Sequence, residues 1–179
     1  AALKRYMSRT LSIAIAGAGI GGLAAAAFLA RQGHRVTVFD QFAAAGPVGS
    51  GLMLQETGLV ILDQLGLRGA AEALGAPIER LWGISADTGR AVLDVRYAAL
   101  RSGLRGIGIQ RTALFTLLHD AAVSSGVRLV MGAKVTAANA EHGTLVLAEG
   151  GAQGPFDLVL DALGVRSPLS SAPVNKLPY

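Results

Sequence analysis

The sequence predicts an α/β fold in which a central parallel sheet carries inserted antiparallel hairpins or a meander, on three observations. A β-branched run at 11–16 stops at a cluster of glycines, an Ala-rich stretch suited to a helix follows at 23–31, and a second β-branched run at 35–39 ends in Asp40. Further apolar strand signals at 127–130 and 158–160 fit repeated β-α units. Two pairs of short strand signals, 80–85 with 91–95 and 134–138 with 144–148, close around Asp87-Thr88-Gly89 and Glu141-His142-Gly143 and interrupt that alternation.

The chain has 179 residues, 51% hydrophobic and 16% charged, with 24 Gly and no Cys. That length predicts one domain, or one and a fraction, with enough chain to bury a core. Without cysteine there is no disulfide framework, thiolate metal cluster or cysteine nucleophile, which suits a reducing compartment and makes the cytoplasm the expected place. The net charge is +4, but the basic residues are scattered from Arg5 to Lys176 rather than gathered on a stripe, so no nucleic-acid partner is expected. A phosphate-bearing ligand fits that balance.

Residues 11–30 carry no charge and follow Lys4, Arg5 and Arg9, the pattern of an export signal or a membrane span. Gly17, Gly19, Gly21 and Gly22 argue against both, because each glycine inside a helix costs about 1 kcal/mol relative to Ala. The run divides instead into strand, turn and helix, and no membrane partner is expected. Met7 is a natural start, with 1–6 as a remnant ahead of it.

The turn reads Gly17-Ala18-Gly19-Ile20-Gly21-Gly22, a G-x-G-x-x-G. The first glycine permits the tight strand-to-helix turn, the second lets backbone approach a pyrophosphate, and the third lets the helix pack close on the strand. N–H groups at the positive end of the helix then suit phosphates. The helix stops at Gly33, and Asp40 lies 21 residues after Gly19, where a carboxylate can take both hydroxyls of a ribose. An acidic residue there favours the unphosphorylated ribose of FAD or NAD. The unit is Rossmann-like.

Beyond it, the loop 41–51 is long enough to be functional. Thr57 is expected to cap a helix through Leu59, Leu62 and Leu65 to Gly66, and a second short helix to end near Gly75-Ala76-Pro77. Trp82 is expected to pack. Thr112 is the expected cap of a helix with Leu114, Leu117 and Leu118 on one face and Gly126 as its stop. The strand at 158–160 runs into Asp161-Ala162-Leu163-Gly164, at a strand's carboxyl end where open α/β sheets hold ligands. His34, His119 and His142 lack metal-ligand spacing, Ser50 has no G-x-S-x-G around it, and no P-loop lysine follows a glycine cluster. No metal is expected, and in an enzyme of this kind the cofactor carries the chemistry.

Several stretches together resemble the N-terminal half of single-component FAD-dependent aromatic monooxygenases, the group that includes p-hydroxybenzoate hydroxylase and 6-hydroxynicotinate monooxygenase. Residues 13–23 resemble that family's opening motif, Val38-Phe39-Asp40 its ribose-binding strand end, and Pro47-Val48-Gly49-Ser50-Gly51-Leu52 with Leu65-Gly66-Leu67 its flavin-proximal loop and next helix. Gln110-Arg111-Thr112-Ala113-Leu114 is similar to the segment whose arginine contacts FAD, Lys134-Val135 to the place where backbone meets the adenine, and 157–167 to the second dinucleotide motif. The resemblance implies a Rossmann-like FAD-binding fold over 7–168. It implies cofactor contacts at Gly17, Gly19, Ile20, Gly22, Asp40, Val48, Arg111, Val135, Asp161 and Gly164.

It further implies that NADPH or NADH reduces FAD transiently and that a flavin hydroperoxide oxygenates a small aromatic substrate. The departures are Leu163, where many members carry Asp with the acid here two places earlier at Asp161, and Gln41-Phe42 where many have an arginine. The chain stops at Tyr179, about halfway along such proteins, and 169–179, with Pro173 and Pro178, suits a linker or the truncated start of a substrate domain. A homo-oligomer or a complementing C-terminal half is the expected partner, since a bare half exposes apolar surface. The alternatives are an NAD-dependent or other FAD-dependent oxidoreductase, halogenase- or reductase-like, and a non-catalytic nucleotide-binding fragment that needs a partner chain.

Overall fold

The computed structural model describes residues 9–44, 46 and 50–170, which divide into two compact units, 9–44 with 118–170, and 46 with 50–117. Among the described residues no helix is long and apolar enough to cross a membrane.

The first unit is built on β1 (Ser12–Ala16), α1 (Ile20–Arg31) and β2 (Arg35–Phe39). β1 is apolar and buried from Ile13 to Ala16, as a strand covered on both faces must be. It lies between two parallel neighbours, with Ile15 opposite Val38 of β2 on one side and Leu160 on the other. α1 turns Gly22, Leu23, Ala26 and Ala27 inward, and the three small residues among them let it sit close to the sheet. It ends where Gly33, at φ +88°, donates its N–H to the Ala30 carbonyl (2.9 Å) and His34 donates to that of Leu29 (3.3 Å).

The numbering continues through β3 (Gly51–Leu54), α2 (Glu56–Gln64), α3 (Arg68–Leu74), β4 (Gly75–Ile78), β5 (Arg80–Ile84), β6 (Ala91–Arg96), α4 (Tyr97–Leu100), β7 (Gly106–Gln110) and α5 (Arg111–Ser124). It closes with β8 (Arg128–Val130), β9 (Val135–Asn139), β10 (Thr144–Leu147), β11 (Ala152–Gln153) and β12 (Leu158–Asp161). The parallel sheet runs β12-β1-β2-β8, and β11-β10-β9 is an antiparallel meander in the same unit. Ala14, Ala16, Phe39, Ala133, Val135, Leu145 and Leu147 form one buried cluster between the two, with Phe156 edge-on to Phe39 at 6.0 Å between ring centroids. The α/β class with inserted antiparallel strands is therefore as the sequence predicts.

The second unit holds the antiparallel sheet β3-β7-β4 and the two-stranded β5-β6. Leu59, Leu62 and Leu65 are core, as expected. Several sequence expectations need correction here. α2 begins after Gln55 rather than at a Thr57 cap, with Glu56 placed in the first turn where a negative charge suits the positive helix end. α5 follows β7 without a gap, so Thr112 stands inside its first turn and is not a cap. Gly75 ends α3 and opens β4 at once, and the strands β3, β4 and β7 occupy stretches read as loop or left unassigned. Trp82 is 54% exposed rather than packed, its ring covered on one side by the Arg80 guanidinium at 4.4 Å. Arg80 also pairs with Asp94 across the hairpin (2.6 Å) and holds that carboxyl below its usual range. The hairpin exposes Trp82, Ile84, Val92 and Leu93, and Leu100 lies bare beyond it, in keeping with the predicted open apolar surface.

A network of ion pairs ties the helices of this unit to the segment before β7. Arg68 bonds Glu56 (3.3 Å) and Glu72 (3.2 Å), Arg101 reaches Glu56 (3.5 Å) and Arg105 reaches Glu72 (3.4 Å). The two glutamates keep the Arg68 guanidinium charged and raise its pKa, chiefly through the hydrogen bond to Glu56. Arg68→Met should cost about 1 kcal/mol of unfolding free energy in urea and less at high salt, the scale of a partly exposed network. An unchanged midpoint at both salt concentrations would show that the network contributes nothing.

Candidate nucleotide site

Strands β12, β1 and β2 lie side by side, so their carboxyl ends bring three short segments together in the first unit. Gly17 leaves β1 at φ +108° and donates its N–H to the Phe39 carbonyl (2.8 Å). A Cβ at Gly17 would lie 2.5 Å from the Ala162 carbonyl oxygen, and one at Gly22 would strike the carbonyl of Gly17 itself. Both glycines are there because neighbouring backbone occupies the place of a side chain. Gly19, the N-cap of α1, has nothing within 4 Å of where its Cβ would stand and no side chain capping the helix. Ile20 opens the helix behind it. The first-turn N–H groups of a helix lack intrahelical partners and here face an approach that no side chain blocks, which suits a pyrophosphate.

Asp40 follows β2. Its Oδ2 accepts the Ala18 N–H (2.7 Å) and its Oδ1 the Phe42 N–H (3.0 Å), so the carboxylate sits over the glycine turn. The segment before β9 is held beside it, because Ala133 donates its N–H to the Asp40 carbonyl (2.7 Å) and Gly132 donates to that of Phe42 (2.8 Å). Val135 next to this segment is buried in the cluster, which leaves its backbone as the part available to an adenine. On the other flank Ala162 donates its N–H to the Ala16 carbonyl (2.8 Å), continuing the pairing of β12 with β1. Asp161 accepts from the Leu163 N–H and the Ser167 hydroxyl, while Gly164, at φ +81°, has open space around it.

Of the residues singled out in the sequence, the structure gathers Gly17, Gly19, Ile20, Gly22, Asp40, Val135, Asp161 and Gly164 in the first unit. Val48 lies outside the described residues. Arg111 belongs to the second unit, where β7 delivers it to the start of α5. Its Nε is buried with no hydrogen-bond partner among the described residues. A buried unpaired guanidinium nitrogen is costly, so its position fits a ligand that brings its own acceptor. In the same unit an open groove of about 680 Å³ lies on the β3-β7-β4 sheet, with Met53, Gly108 and Ala76 in register across it and Gln110 at its edge. Ala162 and Ser167 stand in the sequence reading only as members of the stretches 161–164 and 157–167, with no role of their own. The signal available was a hydroxyl six residues after the acid in the loop that follows β12.

The comparisons with known proteins agree with this geometry. Over 169 residues the chain is 32% identical to the FAD-dependent monooxygenase pytG of Aspergillus terreus, covering 88% of this chain and 48% of that protein. It is 37% identical over 87 residues to 3-hydroxybenzoate 6-hydroxylase 1 of Aquipseudomonas alcaligenes, covering 49% of this chain and 22% of that protein. In fold it is similar to the crystal structure of 2-methyl-3-hydroxypyridine-5-carboxylic acid oxygenase, with a TM-score of 0.77 and 24% identity over 90% of this chain and 42% of that one. The chain thus spans less than half the length of each of these relatives. A family model described as an FAD binding domain matches residues 10–152, and with the glycine turn and the acid after β2 in place, the chain belongs to that FAD-binding family.

Proposed function

We propose that this chain is the FAD-binding portion of an NAD(P)H-dependent flavoprotein monooxygenase that hydroxylates an aromatic or similar small substrate. The observation that carries the reading is the turn at Gly17–Gly22, packed so tightly behind that only hydrogen fits at two positions and left open in front at Gly19. Gly17, Gly19, Ile20 and Gly22 would hold the pyrophosphate, Asp40 the ribose, the backbone at Val135 the adenine, and Val48 and Arg111 the flavin end. Asp161 and Gly164 shape the second loop. Bound FAD supplies the redox chemistry by which electrons from reduced nicotinamide activate dioxygen. The protein's share is to position the cofactor, exclude water and seat the substrate. The open groove on the β3-β7-β4 sheet, where Gly75, Ala76 and Gly108 stand among Leu52, Met53, Leu74 and Ile109, would suit a flat, largely apolar substrate.

The relatives' greater length supports a partner role for a further segment that covers the apolar hairpin β5-β6, whether in the same polypeptide or as a complementing half; a homo-oligomer is the other arrangement that would cover it. The cytoplasm suits a chain without cysteine. Calorimetric titration with FAD, NAD and NADPH in parallel tests the reading. FAD should bind micromolar or tighter while NAD gives no heat; NAD binding without FAD binding would favour a dehydrogenase instead. The 179 residues supplied with FAD, NADPH and 3-hydroxybenzoate should form no hydroxylated product, and turnover by this chain alone would contradict the incomplete-site half of the proposal.

A further inference from the structure

The loop after β12 is organised by two side chains. Asp161 Oδ1 accepts the Leu163 N–H (3.0 Å) and its Oδ2 accepts the Ser167 hydroxyl proton (2.6 Å). Ser167 Oγ in turn accepts the Leu169 N–H (3.0 Å), and the Ser167 N–H reaches the Gly164 carbonyl (3.0 Å). The two leucines whose amides are held this way both pack against the buried cluster of the first unit. The relay therefore fastens both ends of a short loop whose middle, Gly164, stays open.

The same loop touches the glycine turn. Ala162, between Asp161 and Leu163, places its carbonyl oxygen 2.5 Å from where a Gly17 Cβ would stand, and its own Cβ lies 3.3 Å from the corresponding point at Gly22. With its N–H bonded to Ala16, Ala162 can shift only if the loop beyond it shifts. Asp40 grips the turn from the β2 side through Ala18, so the turn is held from both neighbouring strands.

We propose that Asp161 and Ser167 are positioning residues for the cofactor site, acting through Ala162 on the Gly17 turn rather than by contact with the ligand. Each carboxylate oxygen accepts a hydrogen bond from within the loop, and this accounts for an acid standing two places before Leu163, where it serves the Leu163 amide. The consequence for FAD rests on the function proposed above; the consequence for the turn does not.

Three variants, Ser167→Ala, Ser167→Thr and Asp161→Asn, are compared with the parent chain. Asn offers one acceptor where the loop needs two, whereas Thr keeps the hydroxyl. In the ligand-free chain, hydrogen exchange at Leu163, Leu169 and the turn amides of Gly17 and Ala18 should quicken in Ser167→Ala and Asp161→Asn. It should return toward the parent rate in Ser167→Thr, with far-UV circular dichroism unchanged in all three. FAD Kd should rise about 3- to 10-fold in Ser167→Ala and Asp161→Asn, the scale of one hydrogen bond, and recover in Ser167→Thr. Faster exchange confined to 163–169 with the turn unchanged, or an unaltered Kd, overturns the proposal. If the parent itself takes up no FAD, the cofactor reading fails and the exchange measurement still decides this one.

Discussion

Gly22→Ala is expected to lower the unfolding free energy by about 3 kcal/mol and to abolish FAD uptake. The added methyl would strike the Gly17 carbonyl, a backbone atom that cannot swing aside as the end of a flexible side chain could. Either α1 lifts off β1 or the turn opens, and each removes buried contacts made by Leu23, Ala26 and Ala27. For a chain of this size that loss corresponds to a drop of roughly 6–12 °C in melting temperature. Gly21→Ala, one residue earlier, is the matched control. It is exposed within the same helix with nothing within 4 Å of its Cβ position, and alanine is the better helix former. That variant should gain up to about 1 kcal/mol. Equal effects of the two substitutions in thermal unfolding would refute the close-approach explanation.

Arg111→Met should raise the Kd for FAD roughly 10- to 100-fold while leaving stability level or slightly higher. The expectation follows from the unpartnered Nε. A hydrogen bond from a charged donor to a ligand acceptor contributes about 1.5–3 kcal/mol, which is that range of affinity. In the ligand-free chain the same nitrogen is a buried donor without an acceptor among the described residues, so a side chain of similar volume that has no polar atom removes a penalty. Opposite signs for binding and stability are the signature of a residue that the fold holds ready for a ligand. Calorimetry with FAD and urea unfolding on the same variant read both. A Met variant that binds as tightly as the parent would place Arg111 outside the cofactor site.

The parts of the fold visible in the sequence were those whose signal is local. The β1-α1-β2 unit is announced by two β-branched runs, four clustered glycines and an acid, and each of these acts within a few residues of its own position. β3, β4 and β7 were not visible, because Gly51, Gly75, Gly106 and Gly108 lower β-propensity. They become strands only by pairing with partners far along the chain, as Met53 does with Gly108 and Ala76 with the same Gly108. Thr57 and Thr112 misled for a related reason. Each is a favoured cap residue, but each helix has already begun one residue before its threonine, with Gln55 as the N-cap of α2 and β7 running straight into α5. Trp82 was expected to pack because aromatic area usually does, yet its hairpin pairs with no third strand among the described residues. At the site, glycine spacing and Asp40 were legible, whereas the role of Ser167 depends on a loop closing back on Asp161, which no spacing rule encodes.

The proposed FAD site is carried by residues 1–179. Its most direct test is to incubate the purified chain with excess FAD, remove free cofactor by gel filtration, and record the visible spectrum of the protein peak. The account predicts flavin absorption bands eluting with the protein at close to one FAD per chain, and lost in Gly22→Ala. A colourless protein peak, from a chain that circular dichroism shows to be folded, would contradict it.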